Sequence, residues 1–291
     1  MKTAVCTLCP RSCGAIRTET EGSGCCGVGL LPKTARIAPH FWEEPCISGT
    51  RGSGTIFFSG CVMSCVFCQN DKISRQRHGR IMTIEELVDS VKALEAQAVH
   101  NINLVSPTPY VESILECFSR YRPAVPIVYN TGGYEKVETL RRLEGLVDIY
   151  LPDLKYVDAA LSGGYSGAAD YFDYALPALR EMLRQTGKPV FDQEGIMQKG
   201  TIVRHLILPG HTKNSLRVLD CLKEEFDDRI LVSLMGQYVP MGRAAEYPPL
   251  NRRITKREYE KVLLHFEELG LEGYVQELSS ADKAYIPDFF D

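Results

Sequence analysis

After residue 50, short apolar segments alternate with segments that have the spacing of amphipathic helices. This alternation is typical of βα units, in which parallel strands form a sheet covered by helices. Six units fall short of the eight that close a TIM barrel, so the predicted fold class is α/β with a partial (β/α)6 TIM-like barrel. The strands are predicted at 55–59, 102–105, 126–129, 147–151, 202–208 and 230–234. The helices are predicted at 83–98, 111–122, 135–144, 172–185, 214–226 and 255–269.

Local signals refine this prediction. Thr83 with Glu86, and Thr255 with Glu258, have the spacing of a capping box at a helix start. The glycine-containing segment 162–169 and the proline-containing segment 236–251 are predicted to be loops, the second over the barrel mouth. We expect residues 1–50 to form a Cys-rich N-terminal extension and residues 51–291 to form the partial barrel with a C-terminal helix and tail.

Composition narrows the function classes. A chain of 291 residues that is 44% hydrophobic is long enough to bury a full core. It has no run of eighteen apolar residues and no apolar signal-peptide core, which predicts a cytoplasmic protein without a membrane partner. A net charge of −4 argues against a nucleic-acid partner, because phosphate backbones require a basic surface.

Eleven cysteines are the most unusual feature of the composition. Eight of them lie in two short stretches, residues 6–26 and 61–68. A reducing compartment keeps thiols free, so metal ligation is a better explanation than a disulfide framework.

The central cysteines, Cys61, Cys65 and Cys68, form a C-x3-C-x2-C motif directly after the first predicted strand. A [4Fe–4S] cube takes one thiolate at each of four irons, and this tight loop provides three. The open iron can bind the amino and carboxylate groups of S-adenosylmethionine (SAM) and pass an electron to its sulfonium, which cleaves a carbon–sulfur bond. The alternative, a structural zinc site, prefers paired C-x2-C knuckles with a fourth ligand nearby.

The motif resembles the signature of the radical SAM superfamily, C-x3-C-x-(aromatic)-C. The resemblance implies that Phe67, at the aromatic position, lies near the SAM adenine. Over nearly the whole chain, the sequence is similar to pyruvate formate-lyase activating enzymes and looks like an uncharacterised subgroup of related iron–sulfur proteins. The stretches that carry this similarity are GSGTIFFSGCVMSCVFCQN, INLVSPTPY, YLPDLKY, SLMGQYVP and NRRITKREYEKV.

The similarity to the activating enzymes also implies contacts with SAM. Asp153-Leu154-Lys155 matches their Asp-x-Lys, which contacts the SAM carboxylate, and Arg204 occupies a matching place on the fifth strand. The alternative is a surface ion pair between these charges. Gln237 lies near the expected position of a further SAM contact, or else has a structural role in its loop.

Two segments depart from the family pattern. Ser106-Pro107-Thr108-Pro109 stands where many radical SAM proteins have Gly-Gly-Glu to hold the SAM amino group. Either the hydroxyls of Ser106 and Thr108 replace those contacts, or the segment is an ordinary turn. Asn130-Thr131 stands where activating enzymes carry Asp-Thr at a cation site. This chain therefore lacks the carboxylate that would bind the cation. Asn130 is predicted to contact the cofactor.

A second candidate metal site lies near the N-terminus. Cys6-x2-Cys9-x3-Cys13 is followed by adjacent cysteines at 25 and 26, of which Cys26 is the preferred fourth ligand over Cys25. Two alternatives stay open, a second iron–sulfur cluster and a closed structural zinc site with four cysteine ligands.

The resemblance implies a radical SAM enzyme that abstracts hydrogen from a protein or peptide and receives electrons from a donor such as flavodoxin or ferredoxin. A radical SAM enzyme acting on a small metabolite is the first alternative. A non-catalytic iron–sulfur electron-transfer protein is the second, although a carrier needs neither an open iron nor the residues at 153 and 155.

Overall fold

Ten strands form a mixed sheet in the computed structural model, which describes residues 4–276. The remaining two, β1 and β2, pair as a small antiparallel hairpin. The strands are β1 (Ala4–Val5), β2 (Ile16–Arg17), β3 (Lys33–His40), β4 (Ser53–Phe58), β5 (Arg80–Ile81), β6 (Ile102–Val105), β7 (Ile127–Thr131), β8 (Ile149–Pro152), β9 (Val190–Phe191), β10 (Met197–Leu206), β11 (Leu231–Met235) and β12 (Gly273–Val275).

Helices separate most of the strands. They are α1 (Pro45–Ser48), α2 (Asp71–Ser74), α3 (Ile84–Glu95), α4 (Val111–Arg120), α5 (Val137–Arg141), α6 (Ala159–Ser166), α7 (Tyr171–Thr186), α8 (Thr212–Phe226) and α9 (Lys256–Glu268). Within residues 4–276, none of these helices has both the length and the apolar character needed to span a bilayer.

The centre of the sheet consists of six neighbouring parallel strands in chain order, β4, β6, β7, β8, β10 and β11. Helices lie in the connections between them, as parallel pairing requires. β12 adds one more parallel strand, whereas β3 pairs antiparallel with β4 at the other side. The structure confirms the α/β class with a mostly parallel central sheet and has a strand at each of the six predicted positions.

Burial on both faces explains why the central segments are strands. Every residue of β4, β6, β7 and β8 is buried. Ile56, Leu104 and Ile127 pack on one face with Val91 of α3 and Ile114 of α4. Strands that are covered on both faces consist of nearly continuous apolar residues, which is the pattern that the sequence showed.

The N-terminal segment takes part in the main sheet. β3 is hydrogen-bonded to β4, and Ile47 of α1 packs against Ile149 and Ile202 on the inner strands. The side chain of Asn101 donates a hydrogen bond to the Ile47 carbonyl at 2.7 Å. The division of the chain into two domains at residue 50 stays a prediction. Residues before this position supply β3 to the main sheet and Ile47 to the interior.

Local signals were interpreted correctly at two helix starts and incorrectly at one loop. Both capping boxes, Thr83 with Glu86 and Thr255 with Glu258, form reciprocal hydrogen bonds. The prediction of a loop at 162–169 is wrong for residues 162–166, which belong to α6. Its helix begins at the Asp158 cap, so the glycines inside it are tolerated.

Candidate active site

A cavity of about 240 Å³ opens at the carboxyl ends of the central parallel strands. This is the end of a βα sheet at which ligands are expected to bind. A larger groove of about 650 Å³ lies between β3 and α3, but no cysteine lines it. The predicted site residues that line the cavity are Cys61, Cys65, Cys68, Phe67, Ser106, Asn130, Asp153, Lys155, Arg204 and Gln237.

The loop of residues 61–68 is held from two sides. Gly60, which precedes it, has φ +83°, and a Cβ on it would lie 2.9 Å from the Cys26 carbonyl oxygen, so glycine is required there. On the opposite side, the Val66 N–H donates a hydrogen bond to the Tyr165 carbonyl of α6 at 2.8 Å. The loop is therefore fixed between the N-terminal segment and α6.

Two of the three central thiols lie beside serine hydroxyls. Ser166 Oγ donates a hydrogen bond to Cys65 Sγ at 3.0 Å, and Ser74 Oγ lies 3.2 Å from Cys68 Sγ. Sequence analysis missed both serines, because neither belongs to a motif and Ser166 is 101 residues away from Cys65. Hydrogen bonds to ligand sulfurs are among the factors that set the potential of an iron–sulfur cluster.

The number and type of the donors match a [4Fe–4S] cube with one open iron. Burial raises the pKa of the Cys61 thiol to about 12 and that of the Cys68 thiol to about 11, so metal binding must displace their protons. Three thiols line one cavity, and no fourth cysteine is among its described lining residues. This leaves one iron of a bound cube without a protein thiolate.

Lys155 and Arg204 both bind the carboxylate of Asp153. Lys155 Nζ contacts Asp153 Oδ2, and Arg204 Nε donates to Asp153 Oδ1 at 3.0 Å. Burial opposes ionisation, but the two cations outweigh it and hold the pKa of Asp153 below its usual range. All three side chains are less than one fifth exposed, so these charges form a cavity network and not a surface ion pair.

Tyr171 fixes the turn that carries Asp153 and Lys155. Its hydroxyl accepts a hydrogen bond from the Lys155 N–H at 3.1 Å and lies within hydrogen-bond distance of the Gly132 and Asp153 carbonyls. Sequence analysis gives no signal for a polar role of a single tyrosine. The turn is therefore held in place before any ligand binds.

Glu43 is a cavity residue that sequence analysis missed, because it precedes the predicted barrel. Its carboxylate accepts hydrogen bonds from Arg204 Nη1 at 3.2 Å, Asn103 Nδ2 at 3.0 Å and Asn130 Nδ2 at 3.2 Å. Burial raises the pKa of Glu43, although Arg204 opposes the shift. Arg204 Nη2 also donates to Asn130 Oδ1 at 2.6 Å, so both ends of this amide are engaged by protein groups.

The segment after β6 places its two hydroxyl residues differently. Ser106, with φ +58°, lines the cavity. The Thr108 side chain is 2% exposed and donates its hydroxyl to Glu135 Oε1 at 2.6 Å. This corrects the prediction for Thr108, whose hydroxyl is taken by a buried carboxyl group instead of facing the cavity.

Phe67 and Gln237 complete the cavity wall on the side of β11. The Phe67 side chain is 6% exposed, and its ring centroid lies 6.1 Å from that of Tyr238. The segment 236–251 also contacts the cysteine loop, since the Arg243 N–H donates a hydrogen bond to the Val66 carbonyl at 2.7 Å.

The N-terminal cysteines are not among the residues that line the cavity. Cys9 and Cys26 are buried, whereas Cys13 and Cys25 are exposed. In the part of the chain that the structure describes, no group of three or more Cys, His, Asp or Glu side chains is arranged to hold a metal ion. This applies equally to the central and the N-terminal cysteines.

Comparison with known proteins identifies the family. A family model described as the radical SAM superfamily matches residues 55–222, more than half of the 291-residue chain. The chain belongs to the radical SAM superfamily. Membership implies reductive cleavage of SAM by a [4Fe–4S] cluster, and the matched residues include the cysteine loop, the turn at 153–155 and Arg204.

A curated relative of this radical SAM protein is the uncharacterised protein MJ0674 of Methanocaldococcus jannaschii. The two are 34% identical over 282 residues, which cover 92% of this chain and 75% of the relative. The similarity therefore extends beyond the segment that the family model matches.

One solved structure shares the fold at low sequence identity, and a second is weakly similar. SuiB of Streptococcus suis, crystallised with its precursor peptide SuiA, is 14% identical with a TM-score of 0.50, over 76% of this chain and 48% of SuiB. The radical SAM chain thus spans about half the length of that protein. A domain of the pyruvate-formate lyase-activating enzyme of Bacteroides vulgatus is 12% identical with a TM-score of 0.40, over 57% of this chain and 89% of the domain.

Proposed function

We propose that this protein is an activating-enzyme-like radical SAM enzyme that abstracts a hydrogen atom from a protein or peptide. One observation carries the proposal: three cysteines and the Asp153–Lys155 pair line the same cavity. A cluster and the charged end of SAM can be held there together, out of bulk water.

Each side chain then has a defined role. Cys61, Cys65 and Cys68 bind three irons, and Lys155 binds the SAM carboxylate while Asp153 orients it. Phe67 packs near the adenine. The bound cluster supplies the electron that splits SAM into methionine and a 5′-deoxyadenosyl radical, which takes a hydrogen atom from the substrate.

Ser106 and Gln237 remain polar contacts for SAM in this proposal. Both line the cavity. Arg204 and Asn130 are different, since their polar groups already bind Glu43, Asp153 and each other. These two residues act on SAM by positioning Asp153 and the cavity wall.

Exposed aromatic side chains at the cavity support a polypeptide substrate. Trp42 lines the cavity and is 57% exposed, and its neighbour Phe41 is 52% exposed. Exposed aromatic residues are enriched at protein interfaces. The fold is shared with SuiB, which was crystallised with a precursor peptide. An electron donor of the flavodoxin or ferredoxin class completes the proposed system.

The test is 5′-deoxyadenosine formation from SAM by the anaerobically reconstituted protein with dithionite. We expect the product to form and its rate to rise when the protein fraction of a cell extract is added. Stimulation by the small-molecule fraction alone would favour the metabolite alternative, and absence of the product would leave only the electron carrier.

Lys155→Ala is expected to weaken SAM binding about 10- to 100-fold, the loss of one charge-assisted hydrogen bond of about 1.5–3 kcal/mol. Iron content is expected to stay unchanged. Isothermal titration calorimetry under anaerobic conditions measures the affinity. Lys188→Ala is the matched control, since Lys188 forms an exposed ion pair with Asp228. An unchanged affinity in Lys155→Ala would remove this lysine from the SAM site.

Ser166→Ala is expected to lower the midpoint potential of the central cluster by about 20–60 mV. A hydroxyl that donates to Cys65 Sγ stabilises the more negative reduced state of the cluster by about 0.5–1.5 kcal/mol. For a one-electron couple, about 59 mV corresponds to a tenfold change in the equilibrium constant of reduction. An EPR-monitored redox titration measures the potential. Ser113→Ala, which removes a hydroxyl bound to the Leu30 carbonyl, is the control. Equal potentials in the two variants would contradict the role of Ser166.

A further inference from the structure

Four N-terminal cysteines are brought together by the hairpin β1–β2 and a turn after it. The Cys6 N–H donates to the Ala15 carbonyl at 2.9 Å across the hairpin. The Gly27 N–H donates to the Gly24 carbonyl at 2.9 Å, which closes the turn that carries Cys26. A Cβ on Gly24 would lie 3.1 Å from the Cys13 sulfur, so the hairpin and the turn are in contact.

Burial separates Cys26 from Cys25. Cys26 is 8% exposed, and Arg17 links its segment to Cys6, since the guanidinium lies near Cys6 Sγ and donates to the Val28 carbonyl. Cys25 is exposed, and its sulfur lies 3.9 Å from a carbonyl oxygen of the central cysteine loop. The proposed ligands are therefore Cys6, Cys9 and Cys13, at C-x2-C-x3-C spacing, together with Cys26.

Arg17 is a buried cation beside these thiols. It is 2% exposed, and its Nη1 lies 3.8 Å from Cys6 Sγ. Its Nε donates to the Val28 carbonyl at 3.1 Å, and its Nη2 contacts the Gly29 carbonyl. These three hydrogen bonds are to carbonyls and a thiol, and the carboxylate of Glu112, on which Arg17 also acts, is already paired with Arg142. A buried charge needs a counter-charge, and metal-bound thiolates supply one.

The thiols also lie next to the central cysteine loop. A Cβ on Gly60 would lie 2.9 Å from the Cys26 carbonyl oxygen. Arg11, between Cys9 and Cys13 in the chain, donates from Nε to the Val62 carbonyl at 2.8 Å. The N-terminal segment thus contacts the loop both before Cys61 and directly after it.

We infer that Cys6, Cys9, Cys13 and Cys26 bind a second iron–sulfur cluster. Arg17 compensates the negative charge of this cluster, and the cluster relays single electrons to the central cluster. An external one-electron donor is oxidised as the second cluster is reduced. The second cluster is then reoxidised as the central cluster is reduced, and no atoms are transferred. The relay rests on the proposed central cluster, whereas the second cluster itself does not.

Iron analysis of the full-length triple variant Cys61→Ala, Cys65→Ala, Cys68→Ala tests the second cluster alone. We expect about eight irons in the reconstituted wild type and about four in the triple variant, with a Mössbauer spectrum of a cluster. Zinc in place of iron, or a triple variant without iron, would overturn the inference. Iron in the triple variant together with a wild type that does not cleave SAM would refute the proposed function and leave the second cluster standing.

Cys26→Ala and Cys25→Ala form a matched pair of adjacent substitutions. Cys26→Ala is expected to lose about four irons, while Cys25→Ala keeps about eight. Reduction of the central cluster by flavodoxin is expected to slow at least about tenfold in Cys26→Ala only. Loss of iron in Cys25→Ala, or equal reduction rates in both variants, would contradict the ligand set or the relay.

Arg17→Leu tests the counter-charge, with Arg17→Lys as the variant that keeps it. Without the cation, reduction of the second cluster is expected to become about tenfold less favourable, which is about 59 mV toward more negative potential. The lysine variant is expected to recover most of this shift. Identical potentials in wild type and Arg17→Leu would show that Arg17 does not act on a cluster.

Discussion

Cys65→Ala is expected to abolish SAM cleavage. Cys65 is one of three cysteines on the cavity, and its sulfur also accepts the Ser166 hydrogen bond. With only two thiolates, the protein binds two of the four irons of a cube instead of three. The cluster is then not held firmly enough to present one open iron to SAM. We expect a loss of about four irons per chain and a fall in 5′-deoxyadenosine formation of at least about 1,000-fold.

The matched control is Cys221→Ala. Cys221 lies on α8, outside both cysteine stretches, and is partly buried. Iron content and 5′-deoxyadenosine formation should both equal those of the wild type. Chromatography for 5′-deoxyadenosine and colorimetric iron analysis on the same anaerobic samples provide the two measurements. Turnover retained by Cys65→Ala would contradict the assignment of this cysteine as a ligand.

Arg204→Leu is expected to destabilise the fold by about 3–5 kcal/mol. Arg204 is the shared partner of Glu43 and Asp153, and its side chain is 16% exposed. When Arg204 is removed, the hydrogen-bond partners that the structure describes for the Glu43 carboxylate are the neutral side chains of Asn103 and Asn130. Removing one member of a buried ion pair costs more than the pair contributes, because the remaining charge stays desolvated.

Urea unfolding of the reconstituted protein measures this effect. Arg180→Leu is the matched control, since Arg180 binds Glu225 at the surface and its loss should cost no more than about 1 kcal/mol. Adding Glu43→Gln to Arg204→Leu is expected to recover part of the stability, because the remaining side chain is then neutral. A double variant as unstable as Arg204→Leu alone would contradict the coupling of these two residues.

The features that were predicted correctly have local signals. The central strands are short apolar runs, and the cysteine loop is contiguous in sequence, so neither depends on distant contacts. Thr83 and Thr255 were recognised because a capping box spans only four residues. The Asp153–Lys155 pair was singled out through its resemblance to a family motif, and its place after β8 explains its burial in the cavity, whereas its contact with SAM stays a prediction.

The features that were missed depend on contacts between distant residues. Ser166 reaches Cys65 because α6 packs on the cysteine loop, and Glu43 reaches the cavity because its segment lies among the inner strands. Thr108 was misassigned because its partner Glu135 is 27 residues away. α6 itself was missed because its glycines outweighed the Asp158 cap in the sequence pattern.

The pairing of Glu43 with Arg204 places the two residues 161 positions apart. At about 5–20 residues per second, a ribosome needs about 8–32 s to travel from one to the other. During that time the carboxylate stays hydrated, since the guanidinium that neutralises it has not been synthesised. The charged network of this pocket is therefore complete only after β10 has been synthesised.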